Sequence, residues 1–213
     1  MKIHANVYGE HKMKFLKLLE KFLPLIFWVF LIFAFDTPRF AILTLAAALI
    51  HEIGHITFGA SRGILRLIPS PKTSGFRITP PENISYKDEL ILLIGGPVLN
   101  LSFFFFSFAL RFIFQTKIIF DFAIINLLTA LSNLLPIKSY DGYRIIESLI
   151  LMKKSESNGY LTTLSLLSFA FTVILTFLSL YLILKIGEGY WIFALFFSSA
   201  VLEIKKLAEN NVF

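Results

Sequence analysis

Two histidines and a glutamate interrupt an otherwise apolar run, AAALIHEIGHITFGA, as His51, Glu52 and His55. A stretch this apolar reads as a membrane helix, and there a charged side chain costs roughly 2.5–3.5 kcal/mol even on insertion scales. Residues of this kind face a cavity, a partner or a metal. Each helical residue turns the chain by about 100°, so positions i and i+4 lie about 40° apart on one face. The imidazoles of His51 and His55 can therefore reach a single Zn²⁺. Glu52, beside the first of them, can poise a water as a general base.

The rest of the chain agrees with a membrane setting. Of its 213 residues, 56% are hydrophobic and 25 are Phe, whereas soluble domains lie near 45–50% apolar. Several runs approach the roughly 20 residues that cross a bilayer. The fold class expected is an all-α polytopic membrane protein in one domain, residues 1–213. A basic cytoplasmic tail is expected over 1–15. Six transmembrane helices are expected at about 16–35, 40–60, 88–112, 118–137 continuing as a broken helix 141–152, 160–185 and 189–204. With the N-terminus in the cytoplasm, only Arg39, Arg111, Lys117 and Lys185 of the 20 Lys and Arg fall on the far side. That asymmetry is the positive-inside pattern. It puts both termini and the histidine end of the second span at the cytoplasmic face of a multi-pass protein.

The apolar run after Lys21 resembles a signal peptide, but Phe-Asp-Thr-Pro follows it rather than a small-residue cleavage site, so an uncleaved first helix is expected. Residues 12–21 either lie on the membrane surface or form a solvated tail. The net charge of +6 belongs to the cytoplasmic loops, and no aromatic-plus-basic module points to nucleic acid. Between spans two and three, Pro69, Pro71, Gly75, Pro80 and Pro81 surround an alternating Phe76-Arg77-Ile78-Thr79. This pattern is either a short membrane-associated β-hairpin or a linker.

A catalytic zinc site has three protein ligands and one open position. There are no cysteines, and the other histidines, His4 and His11, are in the N-terminal tail. The third ligand should be a carboxylate from Asp36, Asp121, Asp141, Glu147 or Glu203. Asp141 stands out, because Pro136 breaks the helix before it and Gly142 permits close backbone approach. Irregular backbone at membrane depth is tolerated where it lines a cavity. The competing role for Asp141 is a helix cap. Gly95, Gly96 and Pro97 suit tight packing or a kink. The amide of Asn100 either bonds another helix or holds a substrate backbone.

Together, His51-Glu52-Ile53-Gly54-His55, Gly95-Gly96-Pro97-Val98-Leu99-Asn100 and Asn133-Leu134-Leu135-Pro136 leading to Asp141-Gly142 resemble the site-2 protease family of intramembrane zinc metalloproteases. Within it the chain looks most like the bacterial sporulation protease that processes a pro-sigma factor. It is expected to depart from that group in having no CBS domain, and it carries Tyr140 and Tyr143 where Leu and Gly are usual. The membrane that the resemblance implies is the bacterial cytoplasmic (inner) membrane. The resemblance implies Zn²⁺ held by His51, His55 and Asp141, with Glu52 as general base. It implies that Asn133 and Asn100 contact a substrate backbone, that Pro136 shapes the substrate-binding break, and that residues 64–79 pair with an unwound substrate strand. The implied partners are a membrane-associated protein substrate and membrane inhibitor or regulator proteins. An anti-sigma factor or a signal-peptide remnant is the alternative substrate. A metal transporter or a non-catalytic membrane scaffold is the reading from another class. A transporter would show paired halves, which are not visible, and would leave Glu52 without a duty. Oligomeric state is open.

Overall fold

The computed structural model describes residues 26, 29–30, 32–34, 37–64, 68–72, 75–79, 84–153, 158–186 and 190–209. Six helices and two strands are set out among them: α1 Pro38–Ser61, β1 Ile68–Lys72, β2 Gly75–Thr79, α2 Tyr86–Phe114, α3 Lys117–Asn133, α4 Asp141–Lys153, α5 Asn158–Ile186 and α6 Tyr190–Glu209.

α1 opens with Pro38 in its first turn, where a missing N–H does no harm. It closes on Gly63, whose φ of 73° is open to glycine. The N–H groups of Gly63 and Ile64 cap the carbonyls of Ala60 and Gly59. Ser85 caps α2 by accepting from the Asp88 N–H at 3.2 Å, and Asp88 and Glu89 complement the helix dipole. Between α1 and α2, in the segment read as hairpin or linker, β1 and β2 pair antiparallel with Ile68 opposite Thr79 and Lys72 opposite Gly75.

Among the described residues, three helices are long and apolar enough to cross a membrane: Pro38–Ser61, Tyr86–Phe114 and Gly159–Lys185. This mark of a membrane protein corrects the count of six spans. The fourth span divides at the expected break: Pro136 ends α3 after 17 residues, at the lower limit of about 17 for a crossing, and α4 has only 13. The last helix carries Glu203, Lys205, Lys206 and Glu209 at its C-terminal end. The expected first span, 16–35, and the basic tail 1–15 lie largely or wholly outside the described residues.

The molecule is apolar outside and polar within. Phe112, Ile113 and Leu184 are among the most exposed side chains. Buried polar groups, including His51, His55, Asn100, Asn126, Asp141, Ser168 and Glu203, outnumber buried apolar ones among the described residues. That inversion suits a lipid-facing surface around a hydrogen-bonded interior. The tightest crossing joins α1 to α2. A Cβ on Gly95 would sit 2.5 Å from the Gly54 carbonyl oxygen and 2.8 Å from Phe58 Cβ, so glycine is required for the backbones to touch.

Candidate metal centre

The α1–α2 crossing brings the imidazoles over Gly96. A Cβ there would lie 2.6 Å from both His51 Cε1 and His55 Nε2. The two rings stand edge to face, with centroids 4.6 Å apart, on the face that their i, i+4 spacing gives them in common.

Hydrogen bonds determine what each ring presents. The Nδ1–H of His55 donates to the Leu92 carbonyl at 2.8 Å. Pro97, inside the same helix as Leu92, has no N–H to offer Leu93 O. The Nδ1–H of His51 donates to Asn100 Oδ1 at 2.8 Å. The orientation of Asn100 follows from its other contacts. Its Nδ2 donates to the Ala47 carbonyl at 3.0 Å and to Asn126 Oδ1 at 2.9 Å. Asn126 is oriented in turn by donating to the Phe122 carbonyl. Backbone carbonyls at both ends of this chain can only accept, so every amide and ring in it has one consistent assignment. Both histidines therefore carry hydrogen on Nδ1 and turn the lone pair of Nε2 inward.

The third corner comes from beyond the Pro136 break. Leu134 to Tyr140 run as consecutive turns, with the Ile137 N–H on Leu135 O and the Tyr140 N–H on Ile137 O. The segment folds back on the end of α3 so closely that a Cβ on Gly142 would overlap the Leu134 carbonyl. Asp141, the first residue of α4, consequently reaches the histidines. Its Oδ2 lies 2.9 Å from His51 Nε2 and 3.1 Å from His55 Nε2, and the two Nε2 atoms are 3.1 Å apart.

Three acceptors that converge in this way repel one another unless a proton or a metal cation sits among them. A tetrahedral ion with bonds of about 2.0–2.1 Å separates its ligands by about 3.3–3.4 Å. The edges of the triangle fall within about 0.5 Å of that. His51, His55 and Asp141 are all buried and could hold a metal ion together. Two neutral imidazoles with a carboxylate, each imidazole bonded behind through Nδ1, form a donor set that fits zinc.

Two of the other acids named from the sequence, Asp121 and Glu203, are engaged elsewhere, and Glu147 lies on α4 beyond Asp141. Asp121 pairs with Arg39. Glu203 Oε1 accepts from Ser168 Oγ at 2.6 Å and from the Lys138 N–H at 3.3 Å. Asp36 lies outside the described residues. Glu52 is half-buried with Oε2 shielded from solvent. Helical geometry places it about 60° around α1 from His55, flanking the triangle. Asn100 joins the centre through His51 and is fully buried. Asn133 ends α3 and donates from Nδ2 to the Thr129 carbonyl at 2.9 Å. Pro136 is half-buried within the break. Asn133 and Pro136 thus stand on the segment leading to Asp141, apart from the hydrogen bonds that join the ligands.

Asn126 was not singled out from the sequence. Its signal was available, as a lone amide in the apolar run Phe122-Ala-Ile-Ile-Asn126-Leu-Leu.

No protein-family model matches the chain, and no curated protein matches it. Among solved structures it is similar to a Site-2 Protease from Methanocaldococcus jannaschii. The TM-score is 0.55 at 19% identity, over 86% of this chain and 87% of that one. At that identity the likeness shows a shared fold.

Proposed function

We propose that this chain is an intramembrane zinc endopeptidase of the site-2 protease kind. The observation that carries the proposal is the closed triangle of His51 Nε2, His55 Nε2 and Asp141 Oδ2 with Glu52 on its flank. The resemblance of the motifs and the shared fold support it.

Each residue then has a role that follows from its chemistry. His51, His55 and Asp141 would hold the zinc. Bound there, zinc supplies Lewis acidity toward a peptide carbonyl and lowers the pKa of its water toward about 7. Glu52 would take a proton from the attacking water and return it to the departing amine nitrogen. Asn100, backed by Asn126, keeps the proton of His51 on Nδ1, so that Nε2 stays a ligand. The turns from Leu134 to Tyr140 leave backbone that a substrate strand could meet, with Asn133 and Pro136 beside it.

The substrate class we favour is a membrane-associated protein cut near the cytosolic face, with a sporulation pro-sigma factor foremost and an anti-sigma factor or signal-peptide remnant next. Membrane-borne inhibitors or regulators would act on the same chain. Motif resemblance is the support for these finer assignments. Placement in the bacterial cytoplasmic membrane rests on the motif resemblance, and the orientation with both termini inside on the distribution of Lys and Arg.

The test is co-expression with tagged candidates of each substrate class, comparing wild type with Glu52→Gln and measuring zinc content in both. Cleavage by wild type, and none by a variant that still binds zinc, is expected. Equal cleavage by the variant would remove Glu52 from the chemistry. Zinc flux through proteoliposomes with no cleavage of any candidate would favour a transporter.

A further inference from the structure

Glu89, in the first turn of α2, is not one of the residues used above. Both of its carboxylate oxygens are engaged by α4. Oε1 accepts from Arg144 Nη2 at 2.6 Å, and Oε2 accepts from Ser148 Oγ at 3.1 Å. The two donors are four residues apart and share a face. The charged side chains are only 16% and 19% exposed, and Ser148 is buried. An exposed ion pair at a helix end contributes little and positions little. This pair differs in its burial, in using both oxygens and in its place on the two helices.

That place is one turn from the metal centre on each helix. Glu89 precedes Leu92 by three residues, and Leu92 O accepts the Nδ1–H of His55. Arg144 follows Asp141 by three residues. At 1.5 Å per residue, each end of the tie is about 4.5 Å along its helix from a group that builds the triangle. Upstream of Asp141 the chain is a run of turns, so the stiffness of α3 does not carry through to it. α2 thus grips His55 through a carbonyl and the Asp141 helix through a carboxylate.

We propose that Glu89, with Arg144 and Ser148, is a positioning residue of the metal centre that sets Asp141 at bonding distance from the two histidines. This rests on reading the triangle as a zinc site. Metal–ligand distances tolerate about 0.2 Å, so a small slide of α4 along α2 would be felt at the metal before it was felt in the fold.

The experiment uses the full chain in detergent micelles. Zinc affinity is read by competition with a chromophoric chelator, the geometry by the visible spectrum of bound Co²⁺, and the fold by thermal unfolding. Glu89→Gln should weaken zinc binding about tenfold, the lower end of what supporting partners contribute, and should change the Co²⁺ bands. Ser148→Ala, a milder change, should move both readouts the same way by less. The reversed pair Glu89→Arg with Arg144→Glu should regain most of the affinity. Arg62→Leu, which removes the Arg62–Asp88 pair at the neighbouring position, should leave the spectrum as in wild type.

Wild-type affinity and an unchanged spectrum in both Glu89→Gln and Ser148→Ala would overturn the tie alone. So would a loss matched by Arg62→Leu and not regained by reversal. If wild-type protein binds no zinc that His51→Ala abolishes, the metal reading falls first and this inference falls with it.

Discussion

Gly96→Ala tests the centre with a single methyl group. The new Cβ would lie 2.6 Å from His51 Cε1, 2.6 Å from His55 Nε2 and 2.7 Å from His55 Cε1. Unstrained contacts begin near 3.5 Å, so the rings must retreat by about 0.8–0.9 Å. They have little freedom to do so, because both Nδ1 atoms are held at 2.8 Å, by Asn100 Oδ1 and Leu92 O. A metal tolerates about 0.2 Å, so the strain is relieved at the expense of the metal. Overpacking of this kind costs about 1–3 kcal/mol, which corresponds to roughly 5- to 150-fold weaker zinc binding. Chelator competition on the purified protein measures it, with thermal unfolding of the zinc-free protein as the control for folding. Gly54→Ala should behave differently, because its Cβ meets the Gly95 carbonyl, backbone that cannot rotate away. Its defect should appear in folding. Gly159→Ala, with open space around it, should change neither. Zinc affinity in Gly96→Ala equal to wild type, with unfolding unaltered, would refute the placement of the rings over Gly96.

Two further outcomes follow from the same geometry. Asn100→Leu removes the acceptor for His51 Nδ1–H and should weaken zinc binding about 10- to 100-fold. Asn100→Asp keeps that acceptor but turns an oxygen toward the Ala47 carbonyl and Asn126 Oδ1 in place of the donating NH2. It should therefore lower stability while losing less zinc affinity than Asn100→Leu. A loss of affinity in Asn100→Asp as large as in Asn100→Leu, in protein that remains folded, would argue against the tautomer-holding role. Arg39→Ala leaves Asp121 buried without its cation. It should lower stability by about 1–2 kcal/mol, less than for a wholly buried pair because Arg39 is 41% exposed. Zinc affinity should be untouched, and denaturation of the metal-free and zinc-loaded forms checks both points.

His51 and His55 were legible as a pair because four residues along one helix is a local relation, set by backbone geometry before any packing occurs. Their setting in an apolar run, with no cysteine in the chain, restricted the remaining ligand to a carboxylate. Asp121, Asp141 and Glu203 could not be ranked by spacing alone, since each lies on a different helix from the histidines. Packing separated them. Asp121 meets Arg39, Glu203 meets Ser168 and the Lys138 N–H, and only Asp141 among these three reaches the imidazoles. The same holds for Asn100. Its two sequence readings differ only in what it touches, and it touches His51, Ala47 and Asn126.

The count of spans misled for a related reason. The stretch counted as a fourth span reads as 118–137 continuing as a broken helix 141–152, and α3 and α4 do divide there. What hydropathy could not show is the return of Gly142 onto Leu134 across that division. That division is what carries Asp141 back to the centre. Periodicity and composition are properties of single segments, and they determined by themselves that the chain is helical, apolar and equipped with two imidazoles on one face. Which carboxylate completes the triangle, which amide holds the first ring and which ion pair braces the second helix depend on distances between segments 37 to 90 residues apart. Only the close crossing at Gly54 and Gly95 and the turns after Pro136 decide those distances.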